Sequence, residues 1–402
     1  MISRSGPPPR RGPADPVDSG TTSSARLFTG PFLALALADL AYFVAAGILI
    51  QVTPLFAAGP LGADSVGVGI VIGAFSVTAL LLRPWSGRLA DRRGRRPLLI
   101  AGALLAAVTI AAHAVTSDLA LLVVLRLVLG VAEALFFVAG FAMLADLAPL
   151  GRAGEALSFN SLALYGGIAL GPVLGEWLLG TGGYELAWAG AALLSLLAAV
   201  VSWRLPLTGR AEAGADEPFV LIHRGVLWQS IGLFAGVAAM AGFLAFVPIY
   251  GRQDLGMAAS GPVLLVFGLV VVGCRVLFAK LPDRVPPYRL AGAASVAVAA
   301  GMAVAGLERS VPGLLVGAAI MAVGVAFLTP AFFAAMMDRI KPAERGAAFG
   351  TVSIFLDLAF GGGPVLVGFL VAAADIPVAF LVVSLVPLAG AVGTLVAATR
   401  HR

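Results

Sequence analysis

Apolar runs of about 20 residues, the length needed to cross a bilayer, recur at 28–50, 66–86, 97–115, 118–144, 156–179 and 184–203. Six more follow at 226–249, 257–279, 288–307, 311–336, 346–371 and 376–398. The pattern predicts twelve spanning helices, with both termini on one side. Between the sixth and seventh runs the apolar pattern breaks at Glu212, Asp216, Glu217, Pro218, His223 and Arg224. The chain therefore divides into a tail at 1–26, a six-helix bundle at 27–204, a linker at 205–225 and a second bundle at 226–399. The tail is rich in Pro, Gly, Ser and Arg and has too little apolar surface to order itself. It also lacks the pattern of a cleaved signal peptide.

Composition agrees with a lipid environment. The chain is 60% hydrophobic and 12% charged, with a mean hydropathy of +1.01; a soluble domain carries about twice that share of charge. The 50 glycines suit helices that approach closely in a membrane. The lone Cys274 excludes an internal disulfide and reads as a packing residue.

Charge placement orients the spans. Arg4, Arg10, Arg11, Arg26, the Arg88–Arg96 cluster, Arg152, Arg204, Arg210, Arg224, Lys280, Arg284, Arg289, Arg339, Lys341, Arg345, Arg400 and Arg402 all fall on the side of the termini. The opposite connections hold Asp64, Asp118, Glu185, Asp254, Glu308 and Asp375, with only Arg252 and Arg309 as basic residues. The positive-inside rule makes the termini cytoplasmic. The basic residues are spread over many short loops, which does not suggest nucleic acid.

The two halves repeat. A shift of 192 positions carries Arg83 onto Arg275, Asp91 onto Asp283, Arg92 onto Arg284, Asp146 onto Asp338, Gly171 onto Gly363 and Pro172 onto Pro364. Charges are scarce here, so their coincidence at one shift points to parallel six-helix repeats, whose substrate sites lie at the repeat interface near the midplane.

Ionisable residues inside spans mark proton or solute pathways by default. Asp39, Arg126, Glu133 and Asp357 are of this kind and are the proton-coupling candidates. Arg126 and Glu133 are seven positions apart, nearly two turns, and so share a helix face. Each costs about 2.5–3.5 kcal/mol near the bilayer centre on insertion scales, which places them in a bundle interior, as an ion pair or around a wet cavity. Desolvation disfavours the charged form of a carboxylate, so such an acid can load and release a proton. Tyr42, Gln51, Phe75, Phe136, Phe137, Asn160 and Tyr165 are candidates to line a cavity, although aromatic residues in helices more often pack. No Gly-Lys-Ser/Thr phosphate loop is present. His113, His223 and His401 are dispersed, so neither a metal nor another cofactor is expected, and His113 reads as a solvated residue at a helix end.

Residues 87–97 read Gly-Arg-Leu-Ala-Asp-Arg-Arg-Gly-Arg-Arg-Pro. Gly87 and Gly94 suit a tight turn, and Asp91 is placed to cap a helix or pair with an arginine. The stretch resembles the loop between helices two and three of major facilitator superfamily transporters (G-x-L-x-D-R-x-G-R-R). The resemblance implies a conformational latch made of Gly87, Asp91, Arg92, Gly94 and Arg95, with Asp91, Arg95 and Asp146 as a charge relay that holds the outward-facing state. The second copy keeps Asp283 and Arg284 but no glycine. Arg126 and Gly130 resemble the family's helix-four motif, linked to proton coupling, with Leu129 where Gln is usual. Gly167, Gly171, Pro172 and Gly175 resemble its helix-five antiporter signature, associated with export, with Glu176 in place of the last glycine. On spacing alone those glycines form a flat packing face and Pro172 a bend.

The resemblance implies an all-α membrane fold of twelve helices that rocks between inward- and outward-facing states. The expected function is proton-coupled efflux of a small amphipathic molecule across the plasma (inner) membrane by a monomer, its partners being solute, protons and lipid. An importer or uniporter on the same fold is the nearest alternative. A lipid scramblase or membrane-embedded enzyme is more remote.

Overall fold

The computed structural model describes residues 27–149, 152–208, 222–337, 340 and 345–399. The expected tail at 1–26, most of the linker at 205–225, and Asp338, Arg339, Lys341, Arg400 and Arg402 lie outside the described residues.

Every described element is helical: α1 (Gly30–Ala58), α2 (Ser65–Arg93), α3 (Arg95–Ala112) and α4 (Leu119–Leu147) open the chain. One continuous helix, Ala153–Ser202, follows, but its backbone leaves helical geometry at Gly182 and at Gly183, where φ is +69°. This is a break between two antiparallel crossings, α5 (153–181) and α6 (184–202). Then come α7 (Leu227–Ile249), α8 (Gly261–Leu277), α9 (Pro287–Leu307), α10 (Val311–Met337), α11 (Arg345–Ala373) and α12 (Ile376–Thr399), with a short helical turn at Leu281–Arg284. At 17 residues, α8 is the shortest crossing, about 25 Å by helical rise. Among the described residues, with Ala153–Ser202 divided at its break, these are twelve long helices, the number that the apolar runs predicted.

The spans extend beyond their apolar runs toward the basic end. Residues 87–93, expected in a loop, continue α2 as helix, and the chain turns only at Gly94. There φ is 93° and ψ is 160°, a region open in practice only to glycine. An added Cβ at Gly94 would also lie 3.0 Å from the Thr208 carbonyl oxygen, to which the Arg95 amide donates. Gly87 is helical, so its expected role in the turn is not seen: Gly94 makes the turn alone. Arg92 and Arg93 occupy the last turn of α2, where positive charge complements the helix dipole.

The acids of the opposite end, called here the far end, also have local work. Asp64, Asp118 and Asp375 each accept a backbone N–H at the start of α2, α4 and α12, at 2.7, 2.9 and 2.7 Å. Those helices start at the far end, so capping alone places carboxylates there.

Helix α1 packs along α5, and α7 along α11. Gly47 and Gly171 face each other so closely that a Cβ on Gly171 would fall 2.6 Å from the Gly47 Cα. Across α7 and α11, a Cβ on Gly363 would fall 3.0 Å from the Ala238 Cα. Gly171 and Gly363 are the glycines matched by the repeat, so the repeat seen in sequence is a repeat of packing. Two seams join the halves, α2 against α11 and α5 against α8.

Candidate functional site

The seams are closed at the far end by backbone contact. Gly69 and Gly73 of α2 lie against Pro364 and Gly361 of α11, and Gly261 and Gly268 of α8 lie against Pro172 and Ala169 of α5. The far end is also tied by Glu176. Its carboxylate accepts from Gln51 Nε2 of α1 at 2.5 Å and from the Ser260 and Gly261 amides at the start of α8, each at 3.1 Å. Arg252, in the turn after α7, pairs with the same carboxylate. An anion at a helix N-terminus is favoured by the free N–H groups and the helix dipole, and here the anion and the helix belong to different halves. Gln51 also donates to Ser260 Oγ at 2.8 Å, so it is part of this closure, not of a solute cavity. In sequence Glu176 stands out as the odd residue in the helix-five signature.

Toward the basic end each seam is bridged by an arginine. Arg83 of α2 donates to Asp357 of α11 through Nε at 2.5 Å and Nη2 at 2.7 Å. The Asp357 side chain is 3% exposed, and the Arg83 guanidinium stacks 4.6 Å from the Phe137 ring. On the other seam, Arg275 of α8 donates to Ser161 Oγ at 2.9 Å and Tyr165 Oη at 3.4 Å of α5. Sequence reasoning used Arg83 and Arg275 only as markers of the repeat.

Arg126 and Glu133 do not pair, although they share α4. Arg126 donates instead to the Val71 and Ile72 carbonyls of α2, at 3.1 and 3.2 Å, and lies 5.0 Å from the Phe75 ring. Glu133 sits in the electrostatic reach of Arg83, Asp357 and Arg126, yet makes no hydrogen bond or ion pair among the described residues. Asp39 of α1 is buried, with Asn160 of α5 in hydrogen-bonding reach. The proton-coupling candidates thus fall into two groups inside the membrane: Glu133 with Arg126 and the Arg83–Asp357 pair, and Asp39 with Asn160.

Other expected residues serve packing. Tyr42 and Phe136 stack at 4.0 Å between centroids and are buried in the first half, and Tyr165 is taken up by Arg275. Phe137 is half-buried beneath Arg83. Gly167, Gly171 and Gly175 face Phe43, Gly47 and Ile48 of α1, and helical geometry in α5 is lost at Gly182 and Gly183 rather than at Pro172. The flat packing face expected of these glycines is present. His113, expected to be solvated, is buried against Trp188, its Nδ1 2.8 Å from the Thr109 carbonyl oxygen. At the basic end, Arg95 joins Asp91 at 2.7 Å and Asp146 at 3.4 Å. These relay contacts stand while the far end is shut, and Asp91 is 61% exposed. The relay contacts lie within the first half.

Twelve long helices among the described residues, a packing repeat and buried charge at the seam between the repeats now stand together with a family match. The Major Facilitator Superfamily profile matches residues 32–311 and 283–402. The chain belongs to the Major Facilitator Superfamily. It is similar to an uncharacterised MFS-type transporter from Salmonella typhimurium, 29% identical over 333 residues, covering 80% of this chain and 85% of that protein. An uncharacterised MFS-type transporter from Burkholderia mallei is 29% identical over 363 residues and 87% of each chain. Among solved structures, a bacterial homologue of the human lysosomal transporter Spinster, in an inward-facing and occupied conformation, gives a TM-score of 0.76 at 14% identity, over 92% of this chain and 96% of that one. The human organic anion transporter MFSD10 gives 0.70 at 19% identity, over 90% and 98%. The nucleoside transporter NupG gives 0.76 at 13%, over 91% and 99%. The chain is a multi-pass membrane transporter of a small molecule and not an enzyme.

Proposed function

We propose that this transporter is a proton-coupled exporter of a small amphipathic organic molecule, working as a monomer in the plasma (inner) membrane with its basic end cytoplasmic. The orientation follows from the basic residues at one end of the bundle. With the far end tied by Glu176 and both seams packed there, the conformation described is closed at the far end.

The observation that carries the coupling is Glu133. It is an acid inside a spanning helix without an ion-pair partner among the described residues, in the electrostatic reach of an arginine already committed to another acid. Such groups mark proton and ion pathways. Asp39, near Asn160, is the second carrier. Proton binding changes the charge that Arg83 and Arg126 face and so biases one conformation over the other, which is what coupling requires. Export is supported by the resemblance of Gly167–Gly175 to the family's antiporter signature. That organic anions and nucleosides are carried by relatives of this fold supports an organic solute in general.

A thermal-shift screen of purified protein supplies a ligand, since binding to the folded state raises its stability. Proteoliposomes with an imposed pH gradient then accumulate that ligand. The double variant Asp39→Asn, Glu133→Gln is expected to bind it and abolish gradient-driven accumulation. Accumulation at the wild-type level contradicts the assignment of these carriers.

A further inference from the structure

The second half holds a cavity of about 470 Å³ between α7 and α12, its wall completed by Tyr288 of α9 and Phe332 of α10. Glycine makes the space. A Cβ on Gly232 would strike the Phe332 ring at 2.6 Å, whereas one on Gly393 would meet nothing within 4 Å. Trp228, Leu385 and Ala389 on the rim are exposed, and α12 packs against α7, α9 and α11 of its own half. The cavity therefore opens on the flank of the second half, off both seams. Its chemistry is graded along the membrane normal. Gln229, Tyr288 and Thr394 line it at the basic end, where α7 and α9 begin and α12 ends. Ile231, Ala235, Leu385 and Val386 line the deeper part. On α12 the wall runs back from Thr394 to Leu385, roughly 13 Å of helix.

The polar end is incomplete. Gln229 is 4% exposed. Its Nε2 donates to Tyr288 Oη at 3.2 Å, and Tyr288 Oη donates to the Ala335 carbonyl at 3.5 Å. That chain fixes which way the amide points. It leaves Gln229 Oε1 buried with no hydrogen-bond partner among the described residues, which is costly for an acceptor. Thr394 Oγ1 gives its own proton to the Gly390 carbonyl at 2.7 Å. Both groups can thus accept a hydrogen bond from an occupant. Water is a poor filler here, because the space is many times that of one molecule and its walls are mostly apolar.

We propose that this cavity binds one phospholipid of the basic-end leaflet, with a head group that donates hydrogen bonds, as in phosphatidylethanolamine. An acyl chain lies along the deep apolar wall, and an N–H of the head group meets Gln229 Oε1. The graded lining matches a lipid in that leaflet, polar at the interface and apolar toward the midplane. Trp228, 69% exposed, stands at the rim where aromatic residues suit the interface. Arg224 and Arg289, exposed at the starts of α7 and α9, add positive charge at the same end, which favours a phosphate. Phosphatidylcholine offers the same phosphate and chains but no N–H or O–H, so it leaves the Gln229 oxygen unmet.

The test is photocrosslinking in phosphatidylcholine nanodiscs that carry a trace of phosphatidylethanolamine with a diazirine on its acyl chain. Labelled peptides are mapped by mass spectrometry. Label is expected to concentrate on residues 228–235 and 385–393, above the level at Leu193, Leu196 and Leu197 of α6, which are also exposed. The same diazirine on phosphatidylcholine is expected to label these segments about fivefold less, the worth of one hydrogen bond. Gly393→Trp fills the cavity and is expected to abolish the excess. Label spread evenly over exposed faces, equal labelling by the two head groups, or undiminished labelling in Gly393→Trp overturns the proposal. Should Gly393→Trp fail to fold, Gln229→Leu decides: the preference between head groups is expected to vanish, and one that persists overturns the proposal. Displacement of the label by the ligand from the thermal-shift screen assigns the cavity to the solute and overturns it as well. None of these readouts depends on transport, so proton coupling and the lipid site stand or fall separately.

Discussion

Single residues carry the closure. Glu176 gathers Gln51, Arg252 and two amides at the start of α8, so its charge is used on both sides of the seam. Removing one partner of this partly buried cluster leaves the others unpaired. Glu176→Gln keeps the volume but loses the anion, and is expected to favour the far-end-open state; spin-label distances across the far end should lengthen. Gly94→Ala forces a Cβ into a glycine-only backbone region and is expected to lower stability by about 1–3 kcal/mol, read as a lower melting temperature of purified protein. At this scale the sequence was only partly legible. Acids and arginines inside spans could be flagged because charge is rare there, but their partners could not. Arg126 and Glu133 share a helix face, yet each finds neighbours on other helices. Long side chains reach across a packed bundle in directions that spacing along one helix does not encode.

At the scale of elements, the tightest joint in each half is a pair of glycine-faced helices. The α1–α5 joint at Gly47 and Gly171 and the α7–α11 joint at Gly363 obey the same geometry. Helix association in lipid depends on such close approach. Gly171→Leu is expected to wedge α1 from α5 and lower the melting temperature sharply, whereas Gly350→Leu, where an added Cβ meets open space, is expected to be tolerated. The twelve crossings were legible because each needs an unbroken apolar run. The ends were less so: α2 runs on through Arg93, since arginine is a good helix former and polarity alone does not end a helix. The seventeen-residue α8 and the joined α5 and α6 show the same limit, because hydropathy reports burial in lipid and not where backbone hydrogen bonding stops.

For the whole molecule, the repeat is the most informative property. It was visible in sequence as scarce charges matched at one shift, and in three dimensions it makes two equivalent seams about which the halves can turn. Moving halves require that closing one end opens the other. Two spin-label pairs across the halves measure this directly by double electron–electron resonance: Ser117 with Ala258 at the far end, and Arg204 with Lys280 at the basic end. All four positions are exposed. In wild-type protein, changing pH or adding the screened ligand is predicted to shift both distance distributions in opposite senses, the far pair lengthening as the basic pair shortens. Distances that stay fixed, or that lengthen together, contradict rocking of two rigid halves about a shared pathway.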